Sequence, residues 1–235
     1  MDWRIIHRER TESTNADART GVHGDVFTAG WQSAGRGRLD HKWLSPPGAN
    51  LLMSAVLDVA ALAPEEAATF PLAVGLAVAD AVGQFAPPTE QPMLKWPNDV
   101  LLCGRKLAGI LCERHGNNVI AGIGVNVLEQ EFPPEIAERA CCLGGAATVE
   151  AVRDAVLFSL AAVYERWKGD GFASILEEIE RIDFLKDRRV RVVQVDGGEG
   201  IDGICRGIAR DGALYVGGAK VYAGEVHVET MEAKR

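Results

Sequence analysis

Four short polar strings carry the residues that could do chemistry. The first is Gln32-Ser33-Ala34-Gly35-Arg36-Gly37-Arg38, running on through Lys42-Trp43. A Gly-X-Gly segment exposes backbone N–H groups and lets a ligand approach closely. The arginines flanking Gly37 are planar, permanently charged binders of phosphate and carboxylate. Between Ser33 and Leu44, Arg36, Arg38 and Lys42 stand against Asp40 alone, in a chain of net charge −8. That local reversal of sign points to an anionic ligand. A solvated surface loop would carry the same residues, so the other three strings decide. They are Ser13-Thr14-Asn15, Lys95-Trp96-Pro97-Asn98-Asp99 and Arg105-Lys106-Leu107-Ala108-Gly109-Ile110, with Asn126 ending a strand that bears Gly122 and Gly124. Uncharged hydrogen-bonding groups, cations and a carboxylate together suit a neutral polar ring joined to a nucleotide. No Walker A sequence, GxGxxG fingerprint or HExxH is present, so the arginine loop must hold any phosphates.

The elements that position these strings follow from pattern and punctuation. Residues 4–7 read as a strand, and a helix starts near Asn15, where Ser, Thr and Asn are natural N-caps. Apolar runs at 26–31 and 51–57 read as strands, the second central because it is apolar on both faces. A helix covers 65–86. Short strands follow at 93–96, 100–102 and from 106, then a hairpin turn at Gly116-Asn117-Asn118 and a strand over 119–127. Glycines inside that strand mark close approach of a ligand or another backbone. After a long connection, Thr148 caps a helix to about Lys168, and another spans 172–184. From 188 the chain turns to short β pieces at 190–195, 201–209, 213–216 and 220–228, with turns at Gly197-Gly198, Asp211-Gly212 and Gly217-Gly218. This gives a main domain over 1–187 and a small β-barrel over 188–235, too small to bury much core alone.

Composition narrows the classes further. A net charge of −8 argues against general nucleic-acid binding. The five cysteines form no CxxC pair and no metal-ligand spacing with the histidines, as in a cytoplasmic protein with reduced thiols. The N-terminus lacks signal-peptide order, and the apolar run from Ala67 to Ala86 contains Pro71, Asp80 and Gln84, as a buried helix does and a membrane span does not.

Taken together, the strings resemble the biotin–protein ligases. The matching segments are Ser13 to Asn15, Gln32 to Arg38, Lys42-Trp43 with Ser45-Pro46, Gly48 to Leu51, Lys95 to Asp99, Arg105 to Leu111 and Gly122 to Asn126, in the family's order and spacing. The resemblance covers essentially the whole chain. It implies an α+β fold: a mixed sheet flanked by helices, like the catalytic domain of class II aminoacyl-tRNA synthetases, plus an SH3-like β-barrel. It implies a two-step reaction in which biotin and Mg–ATP give biotinyl-5′-adenylate and pyrophosphate, and a lysine of a biotin carboxyl carrier domain, as in acetyl-CoA carboxylase, takes the biotinyl group. No tightly bound prosthetic group is implied.

The resemblance also implies roles. Ser13, Thr14 and Gln32 would hold the ureido ring, with Asn15 beside them. Gly35, Arg36, Gly37 and Arg38 would fold over biotin and the α-phosphate, Trp43 would pack against the adenylate, and Lys106 would sit between carboxylate and α-phosphate, with Arg38 its partner in catalysis. Lys95, Asn98, Asp99 and Asn126 would serve the nucleotide, Asp99 also the Mg²⁺, and Gly109, Ile110 and Gly124 would line the biotin channel. Trp96, Leu107 and Leu111 read as core packing. Two departures stand out. Asp40-His41 replaces a basic pair common in the family, and the chain begins only about ten residues before Ser13, leaving no room for a helix-turn-helix. The expectation is a ligase-only member that binds no nucleic acid or membrane, whose edge strands could pair two copies. A DNA-binding repressor, a lipoate or octanoate transferase and a catalytically silent biotin binder are the rival readings.

Overall fold

The computed structural model describes residues 1–39, 41–145, 147–194 and 200–228. Asp40 and the Gly197-Gly198 turn lie outside them, as does the end of the strand expected at 190–195. Seven strands form the larger sheet: β1 (Arg4–Arg8), β2 (Asp25–Ala29), β3 (Asn50–Asp58), β4 (Met93–Lys95), β5 (Asp99–Leu102), β6 (Arg105–His115) and β7 (Asn118–Asn126). Their order is β1-β2-β3-β7-β6-β5-β4. β1 runs parallel to β2, and every other neighbouring pair is antiparallel, so the sheet is mixed. The central strand β3 is buried along almost its whole length, as its unbroken apolar sequence requires.

The helix expected over 65–86 is two helices, α2 (Pro64–Ala67) and α3 (Phe70–Gly83). α1 (Thr14–Asp17) precedes them in the chain. The break follows from Pro71, which has no N–H to donate to the previous turn and so sits where a helix begins anew. Together 64–83 are long and apolar enough to cross a membrane by length and composition. However, 67% of the most apolar window is buried inside the fold. α3 buries Phe70, Leu72, Val74, Leu76, Val78 and Val82, each stabilising by roughly 1.5–3 kcal/mol when fully removed from water. It packs on α4 (Val149–Asp170), whose Thr148 cap accepts from the Ala151 N–H at 3.2 Å, as the sequence indicates. α5 (Ala173–Arg181) follows.

One edge of this sheet is closed by the chain itself. The Leu94 N–H donates to Ile182 O at 2.7 Å, and the Phe184 N–H donates to Leu94 O at 2.9 Å. At the other edge, β1 is paired only with β2 among the described residues.

A second sheet of five strands comprises β8 (Arg189–Val193), β9 (Ile201–Ile208), β10 (Leu214–Val216), β11 (Ala219–Val221) and β12 (Glu225–Val228), in the order β11-β10-β9-β8-β12. The single strand expected over 220–228 is therefore two, on opposite margins of this sheet. Residues 222–224 join them and can span at most about 15 Å, so the sheet must curl until its margins approach. Its buried Val190, Val192, Leu214, Val216 and Val226 belong to one continuous core with the larger sheet. The buried Trp96 indole donates to Gly212 O at 3.0 Å across the junction.

Candidate active site

One face of β3, β7, β6 and β5 carries the site. Register places Ser54, Gly122 and Leu111 in one row across the sheet, and Leu52, Gly124, Gly109 and Asp99 in the next. Two residues along a strand advance about 6–7 Å, so the two rows are immediate neighbours. The glycines are required because another residue lies directly on them. A side chain at Gly122 would collide with the Asn15 carboxamide, and a Cβ on Gly124 would stand 2.6 Å from the Trp43 ring. The strand glycines mark close approach of the protein's own Asn15 and Trp43 side chains, not of the ligand or backbone expected from the sequence.

Around Gly122 the groups are neutral and hydrogen-bonded. Ser13, Thr14 and Asn15 are all buried at the start of α1. The capping reading of this string fails: Ser13 occupies the cap position without a side-chain capping hydrogen bond. The Thr14 N–H donates to Gln32 Oε1 at 2.7 Å, with the Thr14 hydroxyl 3.1 Å from the same oxygen. The fully buried Ser54 hydroxyl lies 2.6 Å from Asn15 Oδ1 and 2.7 Å from Thr14 Oγ1. An amide oxygen cannot donate, so a Ser54 proton pointing to Asn15 leaves the one Thr14 hydroxyl proton to serve either Gln32 Oε1 or Ser54. Asn15 Nδ2 donates to Leu111 O at 3.3 Å and to Glu113 Oε2 at 2.6 Å. Every polar atom of the Asn15 side chain is therefore engaged within the protein.

Around Gly109 and Gly124 the groups are charged. Lys106 sits at an irregularity in the β5–β6 pairing, which lets its side chain share the face of Gly109. Its Nζ lies 2.7 Å from Asp99 Oδ1 and 5.8 Å from the centre of the Trp43 ring. The Asp99 contact is an ion pair by distance, but its angles make no hydrogen bond, and Asp99 Oδ1 is buried without a hydrogen-bond partner. The Trp43 Nε1–H is likewise buried and unpartnered. Arg38 Nη1 donates to Asn98 Oδ1 at 3.2 Å, and Asn98 Nδ2 donates to Ile110 O at 2.9 Å, tying the arginine loop to β6. Burial lowers the Arg38 pKa, opposed by the charges of Asp99 and Glu225. Burial likewise pulls Lys95 below the ordinary lysine value, against the pull of Asp99.

The loop between β2 and β3 folds back on itself: Trp43 N–H donates to Gly35 O at 2.9 Å and Gly37 N–H to His41 O at 2.6 Å. A Cβ on Gly35 would stand 2.6 Å from Trp43 O, which accounts for the glycine. His41 Nδ1 lies 3.6 Å from Glu225 of the small sheet. Arg36 reaches Glu113 instead of the Lys106 end, at 3.2 and 3.3 Å.

The structure thus brings together Thr14, Asn15, Gln32, Gly35, Trp43, Lys95, Asn98, Asp99, Lys106, Gly109 and Gly124, with Arg38 held through Asn98. Asn126 faces the same side but is buried, donating to Cys141 O at 3.0 Å and accepting from Asn50. Ser54, Asn50, Glu113 and Glu225 were missed in the sequence. Ser54 had a signal as the single polar residue inside the apolar run 51–57, and Asn50 lies in the matching segment Gly48 to Leu51; Glu113 and Glu225 had none.

Comparisons with known proteins agree with this geometry. The family model for the biotin/lipoate A/B protein ligase family matches residues 9–129. A biotin–[acetyl-CoA-carboxylase] ligase of Mycobacterium tuberculosis is 36% identical over 231 residues, covering 92% of this chain and 86% of that one. The bifunctional ligase/repressor BirA of Escherichia coli is 32% identical over 202 residues, and the alignment spans 82% of this chain but 61% of BirA. The chain thus spans about three fifths of the length of such bifunctional relatives. Among solved structures, a biotin protein ligase from Aquifex aeolicus in complex with biotin and ATP superposes with a TM-score of 0.83 at 28% identity, over 96% of this chain and 98% of that one. A mixed sheet with its glycine-floored face, a family model over the segment that builds that face, and a relative aligned along nearly the whole length converge: this chain belongs to the biotin/lipoate A/B protein ligase family.

Proposed function

We propose that the chain is an ATP-dependent biotin–protein ligase. Biotin and Mg–ATP react to biotinyl-5′-adenylate and pyrophosphate, and the adenylate hands its biotinyl group to a lysine of a biotin carboxyl carrier domain. The observation that carries this reading is the juxtaposition, on one sheet face, of a neutral hydrogen-bonding pocket and a lysine held beside a carboxylate and an indole.

The neutral pocket suits the ureido ring. Gln32 keeps its Nε2 donors and Ser13 its hydroxyl, neither partnered among the described residues, while Thr14 is oriented by Ser54 and Gln32. A pocket built on such groups rejects ligands that leave them unpaired. Lys106 faces the point where carboxylate and α-phosphate meet, and its ammonium stabilises the charge that builds up there. Arg38 and Lys95 supply further positive charge and Trp43 a flat apolar surface. Mg²⁺ enters with ATP as part of the substrate. Among the described residues no cluster of three metal-ligating side chains exists, so Asp99 would add one hard oxygen to those of the phosphates, as Mg²⁺ commonly accepts.

The seven-stranded sheet with its helices fits the class II aminoacyl-tRNA synthetase-like reading, and the curled five-stranded sheet fits the SH3-like one, dividing the chain near 187/188. The small sheet leans on the site through Glu225 and Trp96.

Pyrophosphate release with biotin, lipoate or octanoate as the only acid tests the reading. Release with biotin, followed by labelling of one lysine in a carrier domain, is expected. Turnover of lipoate or octanoate but not biotin would replace the substrate and keep the adenylation chemistry.

A further inference from the structure

Glu113 is bound from two sides that have different jobs. On the buried side, its Oε2 accepts from Asn15 Nδ2 at 2.6 Å. On the open side, Arg36 Nη2 of the arginine loop lies 3.2 Å from Oε1 and 3.3 Å from Oε2, and Arg19 Nη2 lies 3.6 Å from Oε1. Its side chain is 27% exposed, and that of Arg36 46%. The partners are 98 and 77 residues away in sequence, so no local motif links them. Asn15 continues the chain of bonds inward to Ser54 and Thr14. One carboxylate therefore connects the neutral pocket to the loop expected to fold over the acyl-adenylate.

We infer that Glu113 is a positioning residue with two functions: it fixes the Asn15 amide, and it holds Arg36 in a resting position until an anion competes for the guanidinium. This inference rests on the ligase reading for its ligands, though not for the contact itself. The two functions separate by chemistry. The amide needs a hydrogen-bond acceptor, which glutamine also offers. Arg36 needs negative charge, which glutamine lacks. A pair this exposed is worth up to about 1 kcal/mol, which corresponds to about fivefold. A buried amide donor without an acceptor weakens the pocket more, by about tenfold.

Glu113→Gln, Glu113→Ala, Arg36→Gln and the Glu113→Gln/Arg36→Gln double variant separate these terms in the full-length protein. In ligand-free protein, tryptic cleavage after Arg38 should run about fivefold faster in Glu113→Gln than in wild type, equally fast in Arg36→Gln, and no faster in the double variant. Biotin affinity should fall about tenfold in Glu113→Ala and less than about threefold in Glu113→Gln. Equal cleavage of wild type and Glu113→Gln, or additive effects in the double variant, would overturn the hold on Arg36. Unchanged biotin affinity in Glu113→Ala would overturn the hold on Asn15. Wild-type protein that neither binds biotin nor releases pyrophosphate would sink the ligase reading, while the cleavage comparison, which needs no ligand, would still decide the role of Glu113.

Discussion

At Gly122 the Asn15 side chain has a partner for every polar atom, whereas two residues along the same strand the Trp43 indole N–H has no hydrogen-bond partner and Asp99 Oδ1 has only its ion pair with Lys106. Both regions stand on strand glycines; the neutral one is buried and the charged one half-buried. Under the proposed ligase reading they differ in what their ligand brings. A neutral ring supplies donors and acceptors to groups that must already point the right way. A phosphate supplies charge, and a site that awaits charge keeps cations near too few anions. Burial lowers the pKa of both Lys95 and Arg38, which marks positive groups held out of water. The contrast is between a region finished by folding and a region finished by binding.

The largest expected effect lies at the charged end. Lys106→Ala should slow adenylate formation by about 10²–10³-fold and leave biotin affinity nearly unchanged, because the ammonium matters most as charge develops. Single-turnover pyrophosphate release beside calorimetric biotin binding measures both. A variant that loses both in parallel would erase the distinction between the two regions.

Ser54→Ala tests the other end. It leaves Asn15 Oδ1 without a donor in a site of 0% exposure, at about 1–3 kcal/mol. The expectation is a lower Tm and biotin bound about tenfold more weakly, with the rate of adenylate formation at saturating biotin close to wild type. A rate loss as large as that of Lys106→Ala would mean that the neutral network also shapes the chemistry.

The smallest effect concerns pH. Burial lowers the Lys95 pKa, so its charge is lost at lower pH than that of a solvated lysine. ATP affinity should hold steady below that pKa and decline a few-fold above it, with a bound anion resisting the loss. Lys95→Arg stays charged throughout and should flatten the profile. Titrating ATP between pH 7 and 10 checks this; parallel profiles for wild type and variant would remove Lys95 from the anion site.

What the sequence disclosed follows the reach of each signal. Gly122 and Gly124 were readable because a glycine in a strand has few explanations. The apolar run at 51–57 announced a central strand, and the arginine loop announced an anion. What lay beyond reach was pairing across the chain. Nothing in Cys112-Glu113-Arg114 tells a solvated glutamate from one that grips Asn15, because its partners arrive from other elements. Ser13 to Asn15 misled for a related reason: local capping chemistry favours those residue types, but buried Ser54 and Gln32 offer competing partners that only the fold supplies. At 220–228 the apolar positions change phase between Val221 and Val226, at the corner where the chain crosses from one margin of the small sheet to the other, and reading one strand there passed over that break.

The margins of the large sheet carry a consequence for assembly. Residues 182–184 cap β4, leaving β1 as the open side among the described residues. Two copies meeting through β1 in antiparallel fashion would be related by a twofold axis and would present only capped β4 sides outward. Association along this direction therefore terminates at a pair, whatever its affinity. Among the described residues, a third copy would find no free β4 edge of the large sheet to add to in this direction.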